Sequence, residues 1–426
     1  MILVDQALQE RESLGNPIRV GLIGAGYMGR GLAIQIIHSY KNGMRLSAIY
    51  NRTESKAHQA YTQAGVEHFS CADTQQSLEH AINESTYAVC SDPLAICRAE
   101  NIDVIVEATG EVEFGAAVVT EAIKNGKHVV LMNAELDALC GPLLQHRANQ
   151  AGVIITNVDG DQPGVTMNLF RWVKQLGYEP RLAGNIKGLQ DRYRNPETQQ
   201  GFADQHKQGV KMITSFADGT KISMETAVLA NATGFGVDTR GMHGPRCEHV
   251  TEAVEQFSEA QLQTGSVDYI LGAEPGPGVF IIGYNENPVL QQYADYLKMG
   301  KGPYYLFYVP YHLPHLETPN TIARAALFAD ATTKPLGRPV VQVLAASKID
   351  LKAGTVLDGI GGFHAYGMAE NNDVFIRERC VPMSLLEGCT LKQDIPKDTV
   401  LTYDHVDAPH GRLACELFDE QSALYD

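Results

Sequence analysis

The residues best suited to chemistry stand together in the segment GNIKGLQDRYRNP, residues 184–196. Lys187 follows an apolar run, and a partly buried lysine can donate to a developing oxyanion and relay a proton. We expect Asp191 to orient this lysine, and Arg192 and Arg194 to hold an anionic end of the substrate. A solvated run of surface charges is the alternative, and the sequence leaves both interpretations open.

A second polar cluster lies farther along the chain and ends at Glu317. We predict that Lys301, Tyr304 and His312 contact the substrate. His312, His315 and Glu317 suggest a metal site, but a proline between the histidines interrupts any helical register, and the spacing matches no standard zinc pattern. We therefore assign no metal ligand, and a divalent metal requirement stays open.

The strongest motif is VGLIGAGYMG, a G-x-G-x-x-G pattern directly after an apolar run and before a helical pattern. The first glycine permits a tight turn, the second lets the backbone approach a pyrophosphate, and the third lets the helix pack closely on the strand. A purely structural glycine turn is the alternative. The predicted nucleotide contacts of this loop are Gly24, Gly26, Tyr27, Met28 and Gly29.

The choice of nucleotide depends on the residues that follow the second strand. NAD-binding proteins place Asp or Glu there, whereas this chain has Asn51, Arg52 and Thr53. A guanidinium offers bidentate donors to a 2′-phosphate, and no carboxylate is present to repel that phosphate. Alternatively, Asn51 caps the next helix together with Glu54, and Arg52 is a solvated surface charge. This interpretation is compatible with binding of a 2′-phosphate. We predict NADP, with NAD less favoured.

Two further apolar runs end in polar residues. Thr109 and Gly110 follow the first run, and Asn133 and Glu135 follow the second. Ligands of doubly wound folds bind at the carboxyl ends of the strands, so Thr109, Gly110 and Asn133 are predicted cofactor contacts. Glu135 is a further catalytic candidate, although it donates a proton at neutral pH only if its pKa is strongly raised.

The elements that must position these residues follow from periodicity. Apolar runs alternate with amphipathic stretches over residues 1–160, which predicts an α/β fold with a Rossmann-type doubly wound parallel sheet. The predicted strands are 18–23, 46–50, 104–108, 128–131 and 153–157. The predicted helices are 32–38, 55–64, 116–125 and 136–149.

The rest of the chain predicts two more domains. Residues 161–340 combine helical and strand patterns, as expected of a mixed α+β domain for substrate binding, catalysis and oligomerisation, with a loop at 273–278. Its predicted helices are 165–176, 219–229 and 318–328, and its predicted strands are 182–187, 279–284 and 304–308. Residues 341–426 predict a small β-rich domain, because DLKAGTVL at 350–357 is echoed by DIPKDTVL at 394–401. Each copy predicts a turn that leads into a short strand, with chance similarity as the alternative.

Composition excludes several classes of protein. The chain has 426 residues, and 34 Lys and Arg against 50 Asp and Glu give a net charge of −16, which disfavours nucleic acid and anionic membranes as partners. No run of about 18 apolar residues predicts a membrane span, and the first residues do not have the pattern of a signal peptide. The eight cysteines include no C-x-x-C pair, which favours reduced thiols and a cytoplasmic location.

The chain resembles the homoserine dehydrogenase-like oxidoreductases that carry a C-terminal SAF domain, a group that includes 1-deoxy-D-xylulose 5-phosphate reductoisomerase-like enzymes. The resemblance covers nearly the whole chain and rests on GLIGAGYMGRG, EATG, GNIKGLQDRYRNP, GKGPYYLFYVPYHLPHLETP and the pair around Asp350 and Asp394. Homoserine dehydrogenases have Asn-Lys, with a catalytic lysine, where this chain has Asn133 and Ala134. Because this chain lacks that catalytic lysine, we assign the proton relay to Lys187.

The resemblance implies an NADP-dependent dehydrogenase or reductoisomerase. Its expected substrate is a small polyhydroxylated sugar or sugar acid, branched or phosphorylated forms included. Homoserine dehydrogenase-type activity and an inactive NADP-binding sensor are the alternatives, and a buried Lys187–Asp191 pair would favour an enzyme over a sensor. We also expect a homo-oligomer, because the β-rich segment leaves strand edges that a second subunit would cover.

Overall fold

A seven-stranded parallel sheet organises the first part of the chain in the computed structural model, which describes residues 4–425. The first three residues of the predicted first domain and the last residue of the third lie outside the described part. The strands are β1 (Ile18–Ile23), β2 (Met44–Tyr50), β3 (Phe69–Ala72), β4 (Tyr87–Cys90), β5 (Val104–Glu107), β6 (His128–Leu131) and β7 (Ile155–Asn157). The helices are α1 (Val4–Ser13), α2 (Tyr27–Ser39), α3 (Glu54–Gln63), α4 (Gln75–Asn83), α5 (Pro93–Arg98), α6 (Val112–Lys124) and α7 (Ala134–Ala151).

The strand order β3-β4-β2-β1-β5-β6-β7 confirms the predicted doubly wound sheet. The chain starts at the centre in β1, moves to one side, and returns to add β5 on the other side of β1. The strands β3 and β4 and the helices α4 and α5 were not predicted from the sequence. These strands have only four residues each, and β3 is a partly exposed edge strand, so neither makes the long apolar run that marks β1.

A mixed four-stranded sheet with the order β11-β10-β8-β9 forms the second layer. Its strands are β8 (Glu179–Lys187), β9 (Ser266–Leu271), β10 (Gly278–Tyr284) and β11 (Tyr304–Val309). The helices of this part are α8 (Gln162–Gln175), α9 (Pro196–His206), α10 (Val210–Asp218), α11 (Thr220–Thr233), α12 (Glu259–Gln263), α13 (Pro288–Tyr296) and α14 (Pro314–Phe328), with a 3-10 helix at Val250–Gln256. The predicted loop at 273–278 connects β9 and β10.

Two helices of this part connect the layers. Helix α11 is buried along almost its whole length, because it packs against α7, α8 and the C-terminal segment. Helix α14 returns to the parallel sheet, where Ile322 and Ala323 join the core that contains β1. Gly31 of α2 makes room for this return, since a Cβ there would press against the ring of His315.

The C-terminal segment is β-rich and small, as predicted. It consists of β12 (Val341–Ser347), β13 (Ala365–Asn371), α15 (Asn372–Arg377), a 3-10 helix Met383–Leu385, β14 (Thr390–Leu391), β15 (Val406–Asp407) and α16 (Leu413–Tyr425). Helix α16 lies against α6 and α7. Within residues 4–425, no helix is both long and apolar enough to cross a membrane.

The two echoed segments of this part face each other. Leu351 and Ile395 exchange both backbone hydrogen bonds at 2.8 Å. Asp350 accepts from the backbone N–H of Lys397, and Asp394 accepts from that of Ala353, at 2.8 and 2.9 Å. The echo is therefore a local twofold repeat. The prediction that each copy leads into a short strand was wrong, because the copies form isolated bridges instead.

Candidate functional site

The glycine loop opens a cavity of about 580 Å³ at the carboxyl ends of β1, β2 and β5. Gly24 has φ 108°, and a Cβ there would come within 2.7 Å of the carbonyl oxygen of Ala108. At Gly29 a Cβ would collide with the carbonyl of Gly24. A Cβ at Gly26 would meet no atom within 4 Å, so this glycine leaves open space in front of the first turn of α2. The loop therefore has the shape that a pyrophosphate needs.

The other two predicted residues of this loop begin the helix. Tyr27 and Met28 form the first turn of α2, where Tyr27 is exposed and Met28 is half-buried. Neither Tyr27 nor Met28 lines the cavity of about 580 Å³. Their assignment as nucleotide contacts stays a prediction.

Residues after β2 form the part of this cavity where the ribose is expected. The side-chain oxygen of Asn51 accepts from the backbone N–H of Ala25 at 2.9 Å, so Asn51 holds the glycine loop. Thr53, and not Asn51, is the residue that caps α3, so the capping alternative was wrong. Arg52 and Lys56 are exposed on the cavity wall, and neither forms an ion pair with another residue in 4–425. Two free cations beside the ribose position fit a 2′-phosphate.

The strand ends of β5 and β6 are tied together behind this cavity. Glu107 is buried at the end of β5, and its carboxylate accepts from the backbone N–H and the hydroxyl of Thr109. Burial raises the pKa of Glu107 to about 7, although these hydrogen bonds oppose the rise. Asn133 is fully buried, caps α7 through Leu136 N–H at 3.1 Å and donates to a backbone carbonyl. The side-chain amide of Asn133 is therefore already hydrogen-bonded within the protein, and it holds this edge of the sheet in place.

Gly110, the last of the predicted cofactor contacts, marks where the second part of the chain meets the nucleotide edge. Its φ is 70°, and a Cβ there would lie 3.2 Å from the side chain of Met212 on α10. Gly110 therefore stands between the nucleotide edge and the helix that forms part of the next cavity.

A second cavity, of about 370 Å³, lies beyond the end of β8. Lys187, the last residue of β8, lines it together with His312, and the roles assigned to both residues stay predictions. The other polar lining residues are Gln162, Gln199, Lys221 and Glu225. The apolar wall is formed by Leu189, Phe202, Ile213, Phe216, Ala217 and Pro277. We call this space the lysine cavity.

A buried ion pair connects the lysine cavity to the parallel sheet. The ammonium of Lys221, on the first turn of α11, lies 2.9 Å from a carboxylate oxygen of Glu135, on the first turn of α7. Burial alone would lower the pKa of Lys221, but the carboxylates of Glu135, Glu225 and Asp161 outweigh it and raise that pKa. Lys221 is therefore a fixed positive charge. Glu135, a predicted catalytic residue, acts as its partner.

Lys187 and Glu225 form the titratable part of the lysine cavity. Burial lowers the pKa of Lys187, while Glu225 and Asp218 oppose the shift. Burial, reinforced by Asp161, raises the pKa of Glu225 to about 8, while Lys221 and Lys187 oppose the rise. The pKa of the lysine is lowered and that of the carboxyl is raised, so the two values move toward each other, as is typical of groups that act in acid–base chemistry.

His312 adds a neutral donor and acceptor to the lysine cavity. Burial lowers the pKa of its ring, against an opposing contribution from Asp161. Its Nδ1 atom is buried and has no hydrogen-bond partner among the described residues. A buried unpaired ring nitrogen beside a cavity is available to a ligand.

The predicted partners of Lys187 lie elsewhere. Asp191 pairs with Arg194 at 3.1 Å rather than with Lys187. Arg192 stands over the ring of Tyr366 at 5.6 Å, so it faces the C-terminal segment. Neither arginine lines the lysine cavity. The predicted Lys187–Asp191 pair and arginine clamp were therefore wrong, because the chain turns sharply after β8 and carries these side chains away.

Lys301 and Tyr304 are far from the lysine cavity. Tyr304 is paired through Tyr284 with Glu179, at the beginning of β8. Lys187 is the last of the nine residues of this strand, which places it roughly 26 Å away at about 3.3 Å per residue. Tyr304 packs against the ring of Tyr284, and Lys301 is exposed in the preceding loop. Their assignment to the substrate was wrong.

Lys221, Glu225 and Asp218 were missed by the sequence analysis. The available signal was the segment DGTKISMETAVLANA, in which one charge precedes an otherwise small and apolar helix and two charges interrupt it. A charge in a buried helix needs a partner, so such a charge marks a site.

The structure does not bring His312, His315 and Glu317 together as metal ligands. Among residues 4–425, the group that brings three donor atoms within 4.8 Å of one another consists of Glu54, His58 and Cys71, on the surface of α3 and β3.

Three known families match consecutive segments of the chain. Residues 24–156 match the NAD binding domain of homoserine dehydrogenase, residues 160–318 match the catalytic domain of oxidoreductase DRL, and residues 341–407 match the SAF domain. These matches confirm the resemblance, segment by segment.

Individual relatives are more distant. A homoserine dehydrogenase from Neisseria gonorrhoeae is 27% identical over 146 residues, which is 33% of this chain and only 28% of that enzyme. Among solved structures, a probable dehydrogenase from Thermotoga maritima is 13% identical with a TM-score of 0.42, covering 75% of this chain and 91% of that one. A DOX-P reductoisomerase in complex with NADPH, fosmidomycin and magnesium is 15% identical with a TM-score of 0.34, covering 50% of this chain and 58% of that one.

Proposed function

Because an NAD-binding domain of the homoserine dehydrogenase type adjoins an oxidoreductase catalytic domain, we propose that this chain uses NADP(H) to interconvert a carbonyl and an alcohol. The observation that carries the proposal is that the half-buried Lys187 and the buried Lys221 and Glu225 line one cavity. The ion pair of Lys221 with Glu135 fixes this cavity next to the carboxyl ends of the parallel strands, where the cofactor binds in such folds.

The residues around the glycine loop fit NADP(H). The backbone of the loop would hold the pyrophosphate, and Arg52 and Lys56 would hold the 2′-phosphate. The absence of a carboxylate at the end of β2 favours NADP over NAD. When bound, the reduced nicotinamide supplies a hydride to the carbonyl carbon.

The side chains of the lysine cavity supply the proton and the positive charge. Lys221 stays protonated beside Glu135, so it stabilises the negative charge that develops on the substrate oxygen. The Lys187 ammonium gives a proton to that oxygen, and the Glu225 carboxyl then restores the proton to Lys187. Glu225 regains its proton from solvent. In alcohol oxidation the same proton leaves in the opposite direction.

The shape of the lysine cavity favours a small polyhydroxylated substrate. A volume of about 370 Å³ takes a compound of sugar or sugar-acid size. Gln162, Gln199 and His312 can bond its hydroxyl groups, while Phe202 and Phe216 can cover its C–H faces. Because Arg192 and Arg194 face away, the lysines are the cations that an anionic substrate would meet.

The test is an absorbance assay at 340 nm with NADPH and a panel of keto sugars, sugar acids and their phosphates. We expect turnover of at least one member by the wild type and its loss in Lys187→Ala and Glu225→Gln. Lys301→Ala is the matched control, since Lys301 lies at the opposite end of the sheet. Equal rates in Lys187→Ala and Lys301→Ala would contradict the assignment of the cavity.

A further inference from the structure

A third cavity, of about 640 Å³, lies apart from the glycine loop and the lysine cavity. It forms where the segment before β12, the end of β13 with α15, and α16 meet. Val340, Ile376 and Phe418 give it apolar walls, and Arg338 and Arg377 stand at its rim. Arg338 and the whole of α16 fall outside the segments that match known families.

The charges of this third cavity favour an anion. Neither Arg338 nor Arg377 forms an ion pair with another residue in 4–425, although the chain as a whole carries a net charge of −16. Asp373 is the single carboxylate among the lining residues. Two free guanidinium groups suit a carboxylate or a phosphate, and the apolar walls suit the body of an organic molecule.

The buried side chain of Gln421, which lines the third cavity, bridges a break in α7. The helix is interrupted at Cys140, which has φ −139°, just before Pro142. In an unbroken helix the N–H of Leu143 would donate to the carbonyl of Leu139. Here Gln421 of α16, only 1% exposed, accepts from Leu143 N–H at 3.2 Å and donates to Leu139 C=O at 3.0 Å.

The break connects the third cavity to the lysine cavity. Tyr425, another lining residue, donates its hydroxyl proton to the carbonyl oxygen of Pro142 at 3.3 Å. Two residues of α16 thus hold the broken turn of α7. The first turn of the same helix carries Glu135, the partner of Lys221. The third cavity therefore borders the helix that positions the fixed cation of the lysine cavity.

We propose that the third cavity is a second ligand site, which takes a small organic anion with an apolar body. Its occupancy stabilises the Gln421 bridge across the break in α7. This site is separate from the proposed oxidoreductase site, so each can exist without the other.

The first test uses 8-anilinonaphthalene-1-sulfonate, an apolar anion whose fluorescence rises on binding, with NADPH present at saturation to occupy the nucleotide cavity. We expect saturable binding that weakens at least fivefold in Arg338→Gln and in Arg377→Gln. Arg379→Gln is the matched control, because Arg379 pairs with Asp404 and does not line the third cavity. Lys187→Gln reports on binding in the lysine cavity. Equal affinity in all five proteins, or weakening in Lys187→Gln alone, would overturn the proposal.

The second test addresses the coupling by hydrogen exchange. With the probe at its wild-type Kd, exchange of the amides of residues 139–145 should slow in the wild type and should slow clearly less in Arg377→Gln. An equal response in both proteins, or a response in neither, would overturn the link between the third cavity and α7. Circular dichroism of each variant establishes that it is folded.

Discussion

Replacement of Lys348 by methionine is expected to make the stability of the protein strongly dependent on pH. Lys348 follows β12 and is 2% exposed. Its ammonium donates to a carboxylate oxygen of Asp218 at 2.7 Å and to the backbone carbonyls of Arg194 and Gly362 at 2.8 and 2.7 Å. It therefore joins the C-terminal segment to the junction of α10 and α11, and Asp218 is one of the carboxylates that face Lys187.

The magnitude follows from the buried carboxyl that the variant leaves without its cation. Burial already raises the pKa of Asp218, and Lys348 opposes that rise. Without Lys348 the native state would keep Asp218 protonated, whereas the unfolded chain releases this proton above a pKa of about 3.9. Because the pKa of Asp218 is already raised in the wild type, the additional loss of stability is at most about 1.4 kcal/mol per pH unit above that value, or at most about 4 kcal/mol at pH 7. At pH 5 it is at most about 1.5 kcal/mol. Stability therefore falls as pH rises, because the native state binds the additional proton.

The assay is urea unfolding followed by circular dichroism and by the fluorescence of Trp172, the single tryptophan, at pH 5, 6 and 7. The double variant Lys348→Met with Asp218→Asn should lose the additional pH dependence, since the carboxyl that faced Lys348 is gone. Lys352→Met is the control, because its ion pair with Asp394 is exposed. A loss below about 1 kcal/mol at pH 7, or one that is the same at pH 5 and 7, would refute the reasoning.

Four further outcomes are expected. Arg52→Ala should weaken NADPH binding by about 1.5–3 kcal/mol and leave NADH binding unchanged in titration calorimetry, and equal affinity of the wild type for both dinucleotides would contradict it. Lys187→Ala should lower kcat by roughly 10²–10⁴-fold with NADPH affinity retained. Lys187→Arg should not restore kcat, because a guanidinium group keeps its proton. If kcat changed only a few-fold, the proton relay would have to be assigned to another residue. The rate of alcohol oxidation should rise with pH through an apparent pKa of about 8, as Glu225 and Lys187 lose a proton, and Glu225→Gln should remove that rise. An unchanged pH profile in Glu225→Gln would exclude this pair from the acid–base step. Gln421→Ala should lower the free energy of unfolding by about 2 kcal/mol because two buried backbone groups lose their partner, whereas Ser422→Ala should have little effect in the same urea titration.

Local features were predictable from the sequence because contiguous residues determine them. The turn at Gly24 and the open space at Gly26 depend on a few neighbouring φ and ψ angles, so the nucleotide loop could be placed before the sheet was known. The alternation of apolar runs and helical patterns likewise reveals a parallel sheet, since a parallel pair requires a crossover. The strands β3 and β4 were not predicted because their sequences, FSCA and YAVC, lack the run of β-branched residues that marks the equally short β5, VIVE.

The membership of the lysine cavity was decided by tertiary structure. Lys187 was identified, but Asp191, only four residues away, faces Arg194, while Glu225 and Asp218 arrive from distant helices. Lys301 and Tyr304 were misplaced because strand direction and register put the start of β11 beside the start of β8. Sequence spacing records distance along the chain, whereas a titratable group responds to charges within a few ångströms in space. Which carboxylates meet Lys187 therefore depends on how α10 and α11 pack beneath the sheet, and no local pattern contains that information.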